Sequence, residues 1–213
     1  MARPSNFIDV TWTNEFAYVI GLLASDGNLS SDGRHINLTS KDRELVEYVR
    51  DILIITNKIG RKSRGGSDIK KYYTLQFGSK QFYAFLLSIG LTPAKSKTLR
   101  LVHIPERFFG DFMRGCFDGD GNISESSHPE SNHSQLRIRI ASASPRFLDW
   151  LLAEHRRLWH IEGGWIYKDQ KKSVGYLCFG KRDSIRILRR MYRYKSQYYL
   201  KRKYTIAIAY LGE

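Results

Sequence analysis

The chain has 213 residues and a formal net charge of +14 at neutral pH, with an isoelectric point near 9.8. Hydrophobic residues make up 42% and aromatic residues 13%, which excludes a disordered polymer and suffices for one ordinary domain or two small packed ones. The lysine and arginine excess points to a polyanionic partner, since each neutralised phosphate releases condensed counterions. No apolar run is long enough to span a bilayer and no amphipathic basic helix stands alone, so a membrane is a poorer fit. Met1 to Asn14 lacks the charged-then-apolar pattern of a signal peptide. The two cysteines, Cys116 and Cys178, have no CxxC neighbour and read as reduced core residues. A reducing, DNA-containing compartment follows, such as a prokaryotic cytoplasm or an organelle matrix.

In chain order, a helix is predicted over about Asn14 to Ser25, with Thr13 as its N-cap. A hairpin turns at Ser31-Asp32-Gly33, and its second strand sets His35, Asn37 and Thr39 against Ile36 and Leu38. A second helix covers about Asp42 to Leu53. A strand pair turns at Arg64-Gly65-Gly66-Ser67, and a third helix covers about Lys80 to Ile89. A boundary near Leu99 to Ile104 divides the chain into 1–104 and 105–213. Beyond it come a helix from about Pro105 to Gly119 and a long polar loop from Glu125 to Ser134. Next, Arg137 and Arg139 face opposite to Ile138 and Ile140. A helix over about Pro145 to His160, a strand pair turning at about Asp169 to Ser173, a helix over Arg182 to Tyr192 and a helical stretch from Gln197 to Tyr210 complete the chain.

The two parts are copies of one unit. Tyr18 to Ser30 matches Phe112 to Ser124, Ile36 to Leu45 matches Ile138 to Phe147, Leu75 to Lys80 matches Leu177 to Arg182, and Lys95-Ser96 recurs as Lys195-Ser196. The order αββαββα is written twice, an α+β fold with pseudo-twofold symmetry. One face of the alternating strands is apolar, and the other carries Arg, Lys, His, Asn and Thr. That face could simply meet water, as in most antiparallel sheets; with this charge and repeat, a groove-fitting DNA surface is favoured. Its residues are Asn28, Ser30, Arg34, His35, Asn37, Thr39, Arg61, Lys62, Arg64, Lys70, Lys71 and Gln76 in the first unit. In the second they are Arg137, Arg139, Trp165, Tyr167, Lys171 and Lys172.

Ala17, Gly21 and Ser25 recur every four residues in the first helix, and Gly115 and Gly119 repeat part of that spacing. Such a stripe lets two helix backbones approach closely. Packed on it, the helices bring Asp26 and Asp120 side by side at their C-terminal ends, each followed by a glycine suited to a left-handed cap. A carboxylate there faces the negative end of the macrodipole, at a cost of a few tenths to about 1 kcal/mol. A hard divalent cation relieves the conflict and can activate water. A single Asp-Gly is ordinarily a turn, as Asp32-Gly33 is. Two copies, each ending an apolar helix and running on as Asp-Gly-Asn-(Leu/Ile)-Ser, favour a site.

Val19 to Gly27 and Met113 to Gly121 resemble the two LAGLIDADG motifs of monomeric homing endonucleases, and the repeats extend the resemblance over nearly the whole chain. It implies a monomer whose two antiparallel sheets form a saddle in adjacent major grooves of double-stranded DNA. It further implies metal-dependent double-strand cuts with 3′ overhangs at a long, pseudo-palindromic site. Asp26 and Asp120 would be the catalytic acids and metal ligands, joined by the carbonyls of Ser25 and Gly119. Mg²⁺ would be the ion, Mn²⁺ a substitute, and Ca²⁺ a ligand that binds without supporting cleavage. By resemblance the strand-to-helix junctions supply basic catalytic residues, Lys80 in the first unit and Lys181 or Arg182 in the second. Lys41, whose counterpart is Ala143, is a further candidate, and Lys95 and Lys195 are read as backbone contacts.

The first motif departs from the family name at Ala24, where the second keeps Asp118. That position is not a metal ligand in the family; Asp118 is expected to cap or pair locally. Arg114 either faces outward or meets an acidic partner. Lys201, Arg202 and Lys203 form a solvated helix face or touch the DNA backbone. The histidines, His128 and His133 included, lack metal-ligand spacing. The alternative is a cleavage-deficient relative acting as an RNA maturase or DNA-binding regulator, against which both acids survive here. A basic ribonucleoprotein component would not need two Asp-Gly helix ends.

Overall fold

The computed structural model describes residues 7–63, 71–128, 131–168, 173–194 and 196–212, without the side chains of 127, 128 and 131–133. Helix α1 (Asn14–Ser25) begins where Thr13 Oγ1 accepts the Phe16 amide at 3.1 Å, satisfying a donor that the helix start leaves open. Every residue from Phe16 to Ala24 is buried, so α1 is a central helix without a solvent face. Strands β1 (Gly27–Leu29) and β2 (His35–Ser40), helix α2 (Arg43–Ile52), strands β3 (Ile59–Lys62) and β4 (Tyr72–Gly78) and helix α3 (Lys80–Ser88) complete the first unit. The second repeats it as α4 (Phe109–Asp120), β5 (Gly121–His128), β6 (Ser131–Ser142), α5 (Pro145–Trp159), β7 (Trp165–Lys168), β8 (Gly175–Phe179) and α6 (Lys181–Met191), followed by α7 (Lys201–Ile208).

Each unit has one four-stranded antiparallel sheet, ordered β1-β2-β4-β3 and β5-β6-β8-β7. The doubled αββαββα, α+β reading therefore holds. One part of it is corrected: Glu125 to Ser134 is not a loop. β5 and β6 extend through it as a long hairpin, with Glu125 opposite Leu136 and Ser126 opposite Gln135. Polar residues such as Glu125, Ser126 and Gln135 hid these strands, because β-propensity is weak evidence where side chains are exposed.

Helices α1 and α4 cross at Gly21 and Gly115. A Cβ on Gly21 would lie 2.1 Å from the Phe112 carbonyl oxygen, and one on Gly115 2.1 Å from that of Tyr18. The small-residue stripe thus allows backbone-to-backbone contact, as its spacing predicts. The glycines after the two aspartates act differently from expectation. Gly27 and Gly121 are not left-handed caps: Gly27 is absent from the positive-φ residues, and Gly121 has φ −84° and ψ 160°. They are needed because each new strand doubles back on its helix, where a Cβ would come within 2.5 Å of the Leu23 carbonyl oxygen or 2.4 Å of that of Phe117.

The C-terminal segment straps the molecule together. Arg114 does not face outward; it is wholly buried, ion-paired with Asp111 at 2.8 Å, and donates to the carbonyls of Met191 (2.7 Å) and Tyr198 (3.2 Å). Asp118 accepts from the Tyr18 hydroxyl at 2.8 Å and the Leu200 amide at 2.9 Å, long-range partners in place of the local cap or pairing expected of it. Burial raises its pKa to about 6. Lys203 is neither solvated nor turned to a groove: only 2% exposed, it donates to the carbonyls of Phe117 and Asp118 at the end of α4. Arg202 reaches Asp42 at 2.9 Å, and Tyr198 packs on Tyr48, so the strap also holds the first unit.

His155 lies on α5 among Phe109, Trp159 and Phe179, and its Nδ1 is 2.6 Å from the Leu151 carbonyl oxygen. Burial depresses its pKa from 6.5 to about 4. Below pH 6.5 the unfolded chain takes up a proton that the folded chain refuses until about pH 4, so stability falls by about 3 kcal/mol across that window. His155→Phe removes the penalty. Urea melts at pH 7.5 and 4.5 should show the wild type losing about 2 kcal/mol more than the variant.

Candidate metal and nucleic-acid site

Asp26 follows α1, its amide donating to the Leu22 carbonyl at 2.9 Å, and Asp120 ends α4. The seam brings these ends together. A Cβ on Gly119 would lie 2.1 Å from Ser25 Oγ and 3.3 Å from Asp26 Oδ2, so the Asp26 carboxylate reaches the last turn of the opposite helix. Asp26, Asp120, Ser25 and Lys95 line one cleft of about 620 Å³ between the sheets, with Asn28 and Lys62 at its side.

Lys95 opens a 3₁₀ turn (Lys95–Lys97), is 4% exposed and donates to the Ser25 carbonyl at 3.3 Å. Burial lowers its pKa to about 8, opposed by the negative charges of Asp120 and Asp26. A cation is thus built beneath two carboxylates that face two helix C-termini, compensating the charge concentration that the sequence implies. Sequence reasoning left Lys95 as a contact to the DNA backbone; the structure instead places it in the charged site, bonded to the Ser25 carbonyl. The recurring Lys-Ser pair was the available signal, and Lys195 lies outside the described residues.

The other basic candidates are elsewhere. Lys80 is exposed beyond Gly78, which pairs with His35 at the far end of β2 from the Leu38–Gly27 pair. Lys181 donates to the Ser134 carbonyl at 2.6 Å, and Arg182 lies 3.9 Å from Glu162 on the surface. Lys41 is exposed, 5.6 Å above the Tyr72 ring. None of the four lines the cleft. For Lys80, Lys181 and Arg182 the reason is the antiparallel register, which puts the β4–α3 and β8–α6 junctions at the opposite end of each sheet from the aspartates; Lys41 follows β2 at the aspartate end, with its amine over the Tyr72 ring.

The paired carboxylates and the carbonyls of Ser25 and Gly119 offer only hard oxygen donors, which suit Mg²⁺ or a similar ion sharing its shell with water and phosphate. Among the described residues no group of three or more His, Cys, Asp or Glu side chains is placed to hold a metal. A metal here therefore depends on carbonyls, water or phosphate to complete its coordination.

On the sheet face beside the cleft lie Asn28, His35, Asn37, Thr39, Lys62 and Gln76, and in the second unit Arg137, Arg139, Trp165 and Tyr167. Ser30 follows β1 with its carbonyl accepting from Tyr83, Arg34 is exposed at the hairpin tip, and Lys71 is exposed just before β4. Arg61 is corrected: it pairs in register with Tyr73 on the helix side of the sheet, 5.1 Å above that ring. Ile59, two residues earlier, packs against the core, and the two-residue period carries Arg61 to the same side. Arg64, Lys70, Lys171 and Lys172 lie outside the described residues. Thr74, Asn122 and Tyr176 share the polar face and were missed; alternation with Leu75, Ile123 and Leu177 was the signal. Cys178 is buried on this face beside Arg139, outside the apolar core assigned to it, while Cys116 lies in the helix seam as expected.

Two sheets, two central helices crossing on glycine and a carboxylate at each helix end define a two-motif saddle protein. Residues 13–90 match the family model described as a LAGLIDADG-like domain. An uncharacterized protein of Methanocaldococcus jannaschii is 23% identical over 160 residues, 69% of this chain and 53% of its own length. The chain thus spans about half the length of that curated relative. Among solved structures, full-length DUF199/WhiA from Thermatoga maritima superposes with a TM-score of 0.57 at 13% identity, covering 94% of this chain and 68% of that one. The I-LtrWI LAGLIDADG homing endonuclease bound to target DNA gives 0.57 at 11%, covering 92% and 89%. I-GzeII in complex with its DNA target gives 0.57 at 13%, covering 94% and 89%. The first unit therefore resembles a LAGLIDADG-like domain, and the whole chain shares the fold of the two-motif endonuclease structures. No helix among the described residues is long and apolar enough to cross a membrane.

Proposed function

We propose that this chain is a monomeric, divalent-metal-dependent DNA endonuclease that cuts both strands of a long, pseudo-palindromic site and leaves 3′ overhangs. The observation that carries the reading is the meeting of Asp26 and Asp120 at a glycine-mediated helix crossing, above the buried Lys95. Homing endonucleases of the same fold are bound to target DNA, which supports a duplex lying along the two polar sheet faces. Asp26 and Asp120, with the Ser25 and Gly119 carbonyls, would hold Mg²⁺, with Mn²⁺ able to replace it and Ca²⁺ binding without turnover. Such an ion supplies an activated water and neutralises charge on the phosphate. Lys95 fixes the Ser25 carbonyl and adds positive charge where a scissile phosphate enters the cleft. Lys62 and the other basic residues of the sheet face hold the backbone and set register.

Lys95→Met should lower double-strand cleavage by on the order of a hundredfold. Because the residue is buried, binding of the same duplex should change by less than about threefold; single-turnover cleavage and gel-shift titrations separate the two. A second reading, a cleavage-deficient maturase or regulator, is supported by the shared fold of DUF199/WhiA, which is not named as an endonuclease. The test is incubation of a randomised duplex library with the chain and Mg²⁺, followed by end sequencing. Metal-dependent breaks at one long site support the nuclease; enrichment by binding without breaks in Mg²⁺ or Mn²⁺ supports the second reading.

A further inference from the structure

The sheets can be compared position by position, because Gly27 pairs with Leu38 as Gly121 pairs with Ile140. That register makes Arg139 the counterpart of Asn37, Ala141 of Thr39 and Arg137 of His35. Along β4 and β8, Tyr176 replaces Thr74 and Cys178 replaces Gln76.

The consequences for hydrogen bonding are opposite in the two units. In the first, the polar groups largely satisfy one another. Asn37 Nδ2 donates to Thr74 Oγ1 at 2.8 Å, Thr39 Oγ1 donates to Asn37 Oδ1 at 2.9 Å, and His35 Nδ1 is engaged by the Asp32 carboxylate. In the second, Ala141 and Cys178 stand where the first unit has Thr39 and Gln76, so fewer polar groups surround the arginines, with Asn122 opposite Arg139 and Ser124 opposite Arg137. Arg139 Nε is buried without a hydrogen-bond partner among the described residues. The Arg137 guanidinium lies 5.7 Å above the exposed Trp165 ring, which orients it without using its donors. Both arginines line an open cleft of about 570 Å³ that reaches Asp120 and is walled by Trp165 and Tyr167. A guanidinium whose Nε has no partner among the described residues, set on an aromatic and apolar floor, is a site for an external acceptor. In a DNA major groove that acceptor is the O6 and N7 edge of guanine.

We infer that the second unit is a guanine reader: Arg137 and Arg139 recognise two guanines within three consecutive base pairs of its half-site, on the side nearest the cleavage centre. The spacing follows from β geometry, since residues two apart on one face are about 6.8 Å apart, close to two base-pair steps. The first unit, its neutral groups mutually bonded, constrains its half-site less at the corresponding positions. This rests on the proposal that duplex DNA occupies the saddle, and it concerns binding, so it is independent of cleavage.

The test is selection of a randomised duplex library by binding in Ca²⁺, using the full chain and the variants Arg137→Ala, Arg139→Ala, Arg139→Lys and Asn37→Ala. The wild type should enrich a site with two such guanines in one half. Each alanine variant at an arginine should relax preference at one of them by roughly tenfold or more. Arg139→Lys should keep affinity within about tenfold yet lose the guanine preference, since an ammonium attracts phosphate but lacks the fork. Asn37→Ala should alter base preference by less than about threefold. Enrichment of a site whose guanines do not depend on these arginines, or equal loss of affinity for every sequence, overturns the inference and leaves DNA recognition standing. Absence of any enriched duplex overturns both.

Discussion

Asp120→Asn and Asp26→Asn are each expected to lower double-strand cleavage by at least about a thousandfold while leaving duplex affinity within about threefold. Asparagine keeps the shape and one oxygen but discards the charge, and both carboxylates are needed because they converge on one cleft from two helices. An ion held by oxygen ligands loses most of its attraction when a carboxylate becomes an amide. Transition-state charge in a partly enclosed site is sensitive to each stabilising group, with factors of a hundred to a thousand for a single donor. Binding is carried by the sheet faces and their many cations, which neither substitution touches. Single-turnover cleavage and gel-shift titration on one duplex, with circular dichroism to confirm folding, check this. Affinity lost in parallel with cleavage would make the aspartates part of the binding surface.

Gly115→Ala and Gly21→Ala should each destabilise the fold by more than about 4 kcal/mol, well beyond a typical surface substitution. The added methyl would be 2.1 Å from a backbone carbonyl oxygen of the opposing helix, and neither backbone can move alone because α1 and α4 are buried along most of their lengths. Interiors packed to crystal-like density offer no slack for that displacement. Gly180→Ser is the matched control: its Cβ meets nothing within 4 Å, and serine suits the N-cap of α6, so stability should change by less than about 1 kcal/mol. Urea melts of the three variants decide it. Near-equal midpoints for Gly115→Ala and the wild type would show that the helices do not meet as described.

These two residue pairs also show what was readable beforehand. Glycine spacing and the repeated Asp-Gly are local patterns with one strong geometric meaning each, and the seam and carboxylate pair were visible from them. The strand alternation likewise placed Asn37, Arg137 and Arg139 on the polar face. Lys95 was harder, because its burial is created by a 3₁₀ turn that tucks it under a helix from earlier in the chain. Lys203 was misread because a charged residue looks solvated until the fold carries it under a distant segment, whereas Arg114 meets an acidic partner, Asp111, one of the two alternatives open to it. Lys80 and Lys181 were carried over by family likeness, and the register of β2 with β4 and β6 with β8 puts them at the remote end of each sheet.

The measurement that tests the central claim most directly uses a duplex selected by binding in Ca²⁺, labelled on both strands and transferred to Mg²⁺. The wild-type chain should cut both strands at staggered positions, leaving short 3′ overhangs, and the Asp26→Asn/Asp120→Asn double variant should bind and cut neither. A wild-type chain that holds the duplex but leaves both strands whole in Mg²⁺ and in Mn²⁺ would contradict the nuclease, as would a double variant that still cuts.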